Sequence, residues 1–196
     1  MSLQIDAIKL SNITRLFLCN EDDDMGENQA SSNALSLVTA VNCSEMKIST
    51  NPVETLVAFS IGSGMGVAVH DPVCGVGGIL NFMLPDSGGA NGVDPVRVPF
   101  MFADTGIPAF LTALYAQDAQ PDRLKVVIAG GAHILDQTDA FNIGLKNLQA
   151  LKTCFDEYNL KIQHENTGGT NSRTLSLDIG SGCSAIKIFG EGEKKV

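Results

Sequence analysis

The chain has 196 residues, 44% of them hydrophobic and 18% charged, with a formal net charge of −9. That balance fits one soluble, well-cored domain and excludes an intrinsically disordered chain. An excess of acid argues against nucleic acid, which needs clustered Lys and Arg, and no apolar run approaches the ~20 residues of a membrane span.

In chain order, Gln4 to Leu18 carries apolar residues at Ile5, Ile8, Ile13, Leu16 and Phe17, compatible with a helix face or a strand pair. Asn20 to Asn33 is polar and acidic and reads as an exposed loop; Asp22, Asp23 and Asp24 lack the ligand spacing of a calcium loop. Residues 1–40 are therefore expected to be an extension, ahead of a domain over 41–190 and a frayed charged tail at 191–196. Ala34 to Asn42 is a β-type run, and Leu56 to Ile61 is a strand that feeds the bend Gly62-Ser63-Gly64. Met65 to Val69 resumes as β, Asp71-Pro72 and the glycines to Gly78 turn the chain, and Ile79 to Leu84 returns as a second apolar strand.

Asp86 to Pro99 is a Gly/Pro/Asp-rich loop. Phe102 to Gln117 predicts a helix whose buried face is Ile107, Phe110, Leu111 and Leu114. Leu124 to Ala129 is a short buried strand with a tight turn at Gly130-Gly131. Asn142 to Tyr158 predicts the second helix, with Leu145, Leu148, Leu151, Cys154 and Phe155 on one face. Lys161 to Glu165, Arg173 to Asp178 and Ser184 to Phe189 complete the strands. Strands and helices mix without strict βαβ alternation, so the fold expected is α+β, a layered sandwich of mixed sheets with two main helices.

Spaced motifs then converge. IGSG (Ile61 to Gly64), VHDPVCGVGG (Val69 to Gly78) and NFMLPDSGG (Asn81 to Gly89) are followed by Ala103-Asp104-Thr105, AGGA (Ala129 to Ala132), NIGLKN (Asn142 to Asn147) and ENTGGTNSR (Glu165 to Arg173). MKISTNP, Met46 to Pro52, leads in. Together they resemble the chemoreceptor glutamine deamidases, the CheD family, over about Val41 to Ile188. The resemblance implies hydrolysis of receptor glutamine amides by a cysteine assisted by a histidine and oriented by a threonine. It puts those three positions at Gly64, Asn81 and Ala58, so that none of the catalytic groups is intact. Glycine cannot attack an amide carbon, and asparagine cannot shuttle a proton near neutral pH. A pocket of Ser60, Gly62, Ser63 and Met83 is expected beside Gly64. The family also implies binding to chemoreceptor cytoplasmic helices and to a CheC-type phosphatase.

Other candidates are weaker. His70 and Cys74 flank Asp71-Pro72 but need not meet across a turn, and Ser63 has no histidine near it in its motif. His133, His164 and Cys183 have ordinary surface or strand readings. Five cysteines, an odd number without a CxxC pair, predict free thiols in a reducing compartment and no zinc site. With no signal-peptide pattern at the N-terminus, a cytoplasmic protein without cofactor, metal or membrane insertion is expected. The favoured reading is a non-catalytic binding or scaffold protein of chemotaxis, the alternative an amidohydrolase with a displaced nucleophile, Cys74 or Ser63.

Overall fold

The computed structural model describes residues 37–88, 92–133 and 142–196. The elements expected over Gln4 to Leu18 and Asn20 to Asn33 lie outside the described residues, as does the start of the Ala34 to Asn42 run. Its described part is β1, Leu37–Ala40.

The fold is organised on a central hairpin. β4, Met65–Asp71, pairs antiparallel with β5, Val76–Phe82, from Met65↔Phe82 at one end to Asp71↔Val76 at the other. Every residue of both strands is buried, which is why they read as near-continuous apolar runs rather than as an alternation. Around this hairpin forms a five-stranded sheet ordered β2-β5-β4-β6-β7, with β2 at Glu45–Ser49, β6 at Lys125–Gly130 and β7 at His164–Thr167. A second five-stranded sheet is ordered β1-β3-β8-β9-β10, with β3 at Glu54–Ile61, β8 at Arg173–Asp178, β9 at Ser184–Ile188 and β10 at Gly192–Lys195. The pairs β1–β3 and β6–β7 are parallel and the others antiparallel, so both sheets are mixed.

Period-two alternation on the hairpin sorts its side chains between two cores. Met65, Val67 and Val69 of β4, with Val76, Leu80 and Phe82 of β5, meet α1, Ala103–Tyr115, and α2, Ile143–Glu157. Ala68 and Ile79 point the other way, to Leu56, Ala58 and Ile61 of β3 and Leu175 and Leu177 of β8. The result is three layers, helices on sheet on sheet, as an α+β reading expects. The stripe Ile107, Phe110, Leu111 and Leu114 of α1 is buried; side chains of this size each stabilise by about 1.5–3 kcal/mol on burial.

At the turn end of the hairpin, Asp71 has no exposed side-chain surface. Its Oδ2 accepts from Nε of Arg123 at 2.9 Å, Nη2 of Arg123 at 2.7 Å and the backbone N–H of Gln120 at 3.0 Å. Its Oδ1 accepts from the N–H of Val73 at 2.9 Å. Burial opposes the charge, but the Arg123 guanidinium and these N–H groups hold the carboxyl well below the usual range.

Three differences from the sequence reading stand out. The lead-in around Met46 to Pro52 carries β2, an unforeseen strand that pairs with β5. β7 lies three residues later than Lys161. The charged end from Glu191, expected to fray, pairs as β10 against β9. An edge strand tolerates Glu193, Lys194 and Lys195 because half of its surface faces water.

Candidate functional site

At the opposite end of the hairpin the chain opens into a cleft of about 490 Å³. Five segments line it: the β1–β2 connection at Cys43, residues 60–64 from the end of β3 through the bend, residues 81–83 at the end of β5, the turn that follows β6, and the first turn of α2. The N–H of Gly131 donates to the carbonyl of Gly64 at 2.8 Å, and the N–H of Ala132 to that of Gly62 at 2.9 Å. Glycines make this closeness possible. A Cβ on Gly130 would lie 2.3 Å from the Gly64 oxygen, and one on Gly144 would lie 2.4 Å from the Gly131 oxygen. This is the physical content of the AGGA and NIGLKN motifs. Asn147 of α2, fully buried, ties the mouth together: its Nδ2 donates to the carbonyls of Ser63 and Met83, both at 2.8 Å.

All four residues expected to form a pocket, Ser60, Gly62, Ser63 and Met83, line this cleft, and so do Gly64 and Asn81. Ser60 reaches it from a bulge, with φ of 53° where the β3–β8 register shifts between Ala58 and Ile61. Ala58 is not brought there; it is buried between the sheets. Gly64 is closed off from its own side-chain position: a Cβ built on it would stand 2.6 Å from the Phe82 carbonyl oxygen and 3.5 Å from the Met83 Cα. Real Cβ atoms do not approach a backbone oxygen that closely, so a side chain there requires β5 or the bend to move.

Asn81 is 2% exposed. It sits between Gly66 of β4 and Glu45 of β2, and its carbonyl accepts from the N–H of Ser44 at 2.8 Å. Its Nδ2 reaches only the Val41 carbonyl, at 3.5 Å.

Of the displaced-nucleophile candidates, Ser63 is exposed at the cleft, whereas Cys74 is at the far turn, half-buried against the helix-side core. The seven residues of β4, about 20 Å of strand, separate that turn from the cleft. His70 also leaves the site. It is buried, with Nε2 3.0 Å from the Ile179 carbonyl, and its ring lies against Gly182. Burial pushes its pKa below the ordinary histidine value. The site has residues that sequence reasoning did not find. Cys43 lines the cleft from the β1–β2 connection, and His133 and Ile143 line it from the other side. No motif marks Cys43. The only signal for His133 was its place directly after AGGA. Among the described residues no group of His, Cys, Asp and Glu is arranged to hold a metal ion.

The family model for CheD chemotactic sensory transduction matches residues 83–188. The probable chemoreceptor glutamine deamidase CheD 1 of Syntrophus aciditrophicus is 42% identical over 151 residues, 76% of this chain and 93% of that protein. The chain belongs to the CheD family. The chemoreceptor glutamine deamidase CheD of Thermotoga maritima is 32% identical over 154 residues, 79% of this chain and 94% of that one. A solved structure of the hypothetical protein YfiH from Bacillus licheniformis overlaps with a TM-score of 0.38 at 15% identity, covering 62% of this chain and 49% of its own, too little to bear on the site. The CheD assignment places the chain in chemotaxis signalling, and among the described residues no helix is long and apolar enough to cross a membrane.

Proposed function

We propose that this CheD-family chain is a cytoplasmic chemotaxis protein that binds chemoreceptor cytoplasmic helices, with a receptor glutamine side chain entering the cleft, and does not hydrolyse it. The observation that carries the reading is Gly64. If the family's thiol position is here, the chain lacks the nucleophile and also the room for its Cβ, because the Phe82 carbonyl lies 2.6 Å from that point. Asn81, in the place of the histidine, cannot take and return a proton near neutral pH. Binding depends on shape and apolar anchors, which survive loss of chemistry; Met83 and Leu145, 41% and 42% exposed, belong to the two segments that frame the cleft. A CheC-type phosphatase is a second partner consistent with the family.

The test is a receptor cytoplasmic fragment with encoded deamidation-site glutamines, incubated with the pure protein and weighed by mass spectrometry. Co-elution without the ~1 Da gain per glutamine, which marks amide nitrogen replaced by oxygen, is the expected result. Turnover overturns the reading.

One observation favours a second reading, displaced chemistry on Cys43 rather than on Cys74 or Ser63: Cys43 and His133, the residue types that thiol-based amide hydrolysis uses, line the same cleft. If the fragment is deamidated, Cys43→Ser abolishes the mass gain on this reading and Cys74→Ser leaves it intact.

A further inference from the structure

Away from the cleft, the second sheet has an outer face that is dry where a solvated face is expected. Its inner face meets the central hairpin through Leu56, Ala58, Leu175, Leu177 and Ile186, so the alternate positions of the same strands turn outward. Among the described residues both helices pack on the other sheet, and no further layer lies on this face. Its outward positions form a row across four strands, Ala40, Val57, Ser176 and Ala185, joined by the β1–β3, β3–β8 and β8–β9 registers. Yet Val57 is 0% exposed and belongs to neither core, and around it Ser176 is 2%, Thr55 3% and Ala185 6% exposed. Alanine and serine side chains are too short to hide a neighbouring valine, so a further layer covers the row. β3 agrees: it has no charge from Thr55 to Ile61, the pattern of a strand covered on both faces rather than on one.

The chain ahead of β1 fits the gap. β1 is the edge strand of this sheet, and its described part begins at Leu37, so residues 1–36 enter at the border of the face. Within them Gln4 to Leu18 carries Ile5, Ile8, Ile13, Leu16 and Phe17, with Asp6, Lys9 and Arg15 as its only charges. The polar stretch Asn20 to Asn33 that joins it to β1 spans about 45 Å when extended. Four strands at ~4.8 Å spacing are only about 14 Å across, so reach is not limiting. A tethered segment also acts at roughly millimolar effective concentration, which favours it over a second molecule in solution. That Val57 is fully buried within one chain points the same way.

We propose that Gln4 to Leu18 docks on the outer face of the second sheet, its apolar side chains on the row from Ala40 to Ala185, and closes a fourth layer over the domain. The cover stops short of the cleft end of the sheet, where Phe59 and Phe189 stay 45% and 77% exposed. A partner of this chain then meets the outer sheet only at that end. The proposal stands apart from the receptor-binding reading and from the chemistry of the cleft.

The first test uses the natural full chain as an equal mixture of ordinary and ¹⁵N-labelled protein, treated with an amine cross-linker and read by peptide mass spectrometry. Lys9 is expected to link, within one chain, to Lys187 or Lys195, which turn outward on β9 and β10. Links only to Lys146 or Lys152, exposed on α2 in the opposite layer, or none to the outer face, overturn the proposal. Mixed-isotope links to Lys187 or Lys195 overturn it too, because they assign the face to a second copy.

The second test labels Ser176→Cys in the full chain with a thiol reagent. The exchange is small, since the serine hydroxyl makes one long bond, to the Ala185 carbonyl at 3.4 Å. The introduced thiol is expected to react at least about tenfold more slowly than the exposed Cys43, at a rate independent of protein concentration. Adding Ile13→Asp and Phe17→Asp is expected to raise that rate about tenfold or more, while Cys154, half-buried on the helix-side core, stays as slow as before. A rate equal to that of Cys43 without those changes shows an open face, and a slow rate that they leave unchanged shows another cover. Either result overturns the proposal. If Cys154 accelerates as well, the variant has unfolded and the cross-links in the natural chain decide.

Discussion

The two ends of the β4–β5 hairpin solve opposite problems with the same two strands. At the turn end the chain buries a full carboxylate and surrounds it with donors, two from Arg123 and two from backbone N–H groups. At the mouth end several positions carry no side chain, and glycine backbones stack on one another around a cleft with no Lys, Arg, Asp or Glu among its described lining residues. Charge seals one end, and absence of Cβ atoms opens the other. The lesson is that the Gly-rich motifs of this chain record backbone contacts, so a residue missing its side chain is still under tight steric constraint.

The largest effect expected comes from violating the mouth. Gly144→Ala puts a Cβ 2.4 Å from the Gly131 oxygen and 2.7 Å from its carbonyl carbon. Alanine improves helix propensity, but overpacking against backbone outweighs it, and a loss of about 3 kcal/mol is expected. For a chain of this size that lowers Tm by roughly 6–12 °C. An unchanged melt shows that α2 slides away freely and that the cleft is not rigid.

Next is the turn end. Asp71→Asn leaves the Arg123 guanidinium facing a neutral amide and strands a bond of the set, so about 2–3 kcal/mol is expected to be lost at neutral pH. Cys74, next to this turn, is expected to react faster with a thiol reagent in that variant, since the turn loosens locally. If Cys74 accessibility is unchanged, Asp71 is not what seals this end.

The double change Gly64→Cys with Asn81→His sharpens the comparison from the other side. Placing a thiol and an imidazole at these two positions is expected to cost about 1–3 kcal/mol, because the new Cβ meets the Phe82 carbonyl at 2.6 Å. No receptor deamidation is expected. A stable variant that deamidates shows instead that β5 yields readily and that only the two side chains separate this chain from a working enzyme.

Much of this was legible in the sequence, for identifiable reasons. The hairpin strands are fully buried, so their apolar runs carried a strong signal, and the α1 stripe at Ile107, Phe110, Leu111 and Leu114 followed helical spacing. β2 was not legible because EMKIS is half-buried throughout and has neither an alternating nor a continuous apolar pattern. β10 was missed because an edge strand of charged residues looks like a solvated tail. Gly64, Ser60, Gly62, Ser63, Met83 and Asn81 were placed by motif order, and the structure gathers them around one cleft. Cys43 could not be found, because what brings it there is the Ser44–Asn81 backbone bond across two sheet strands, a tertiary contact without a local trace.

The smallest effect separates the two ends by pH. His70 lies one residue before Asp71 on β4, but its ring faces the other sheet, against Gly182 and the Ile179 carbonyl. Burial lowers its pKa most, Lys125 adds to that, and the charges of Asp71 and Asp178 oppose it, as does the bond to Ile179. The unfolded chain therefore binds the His70 proton more tightly than the folded one, and stability rises with pH wherever that holds. Its contribution is complete above the unfolded value of about 6.5 and is lost as pH falls from there towards the folded value. Asp71 behaves differently in range: its folded pKa is depressed, so its contribution is complete above about 4 and is lost only as pH falls below that. Melts taken from pH 8 to pH 3 are expected to show two separate declines. His70→Gln removes the upper one and leaves the lower; Asp71→Asn flattens the lower and leaves the upper. A single decline abolished by either substitution shows that the two residues titrate as one unit, and that the charge lock and the sheet interface are not independent after all.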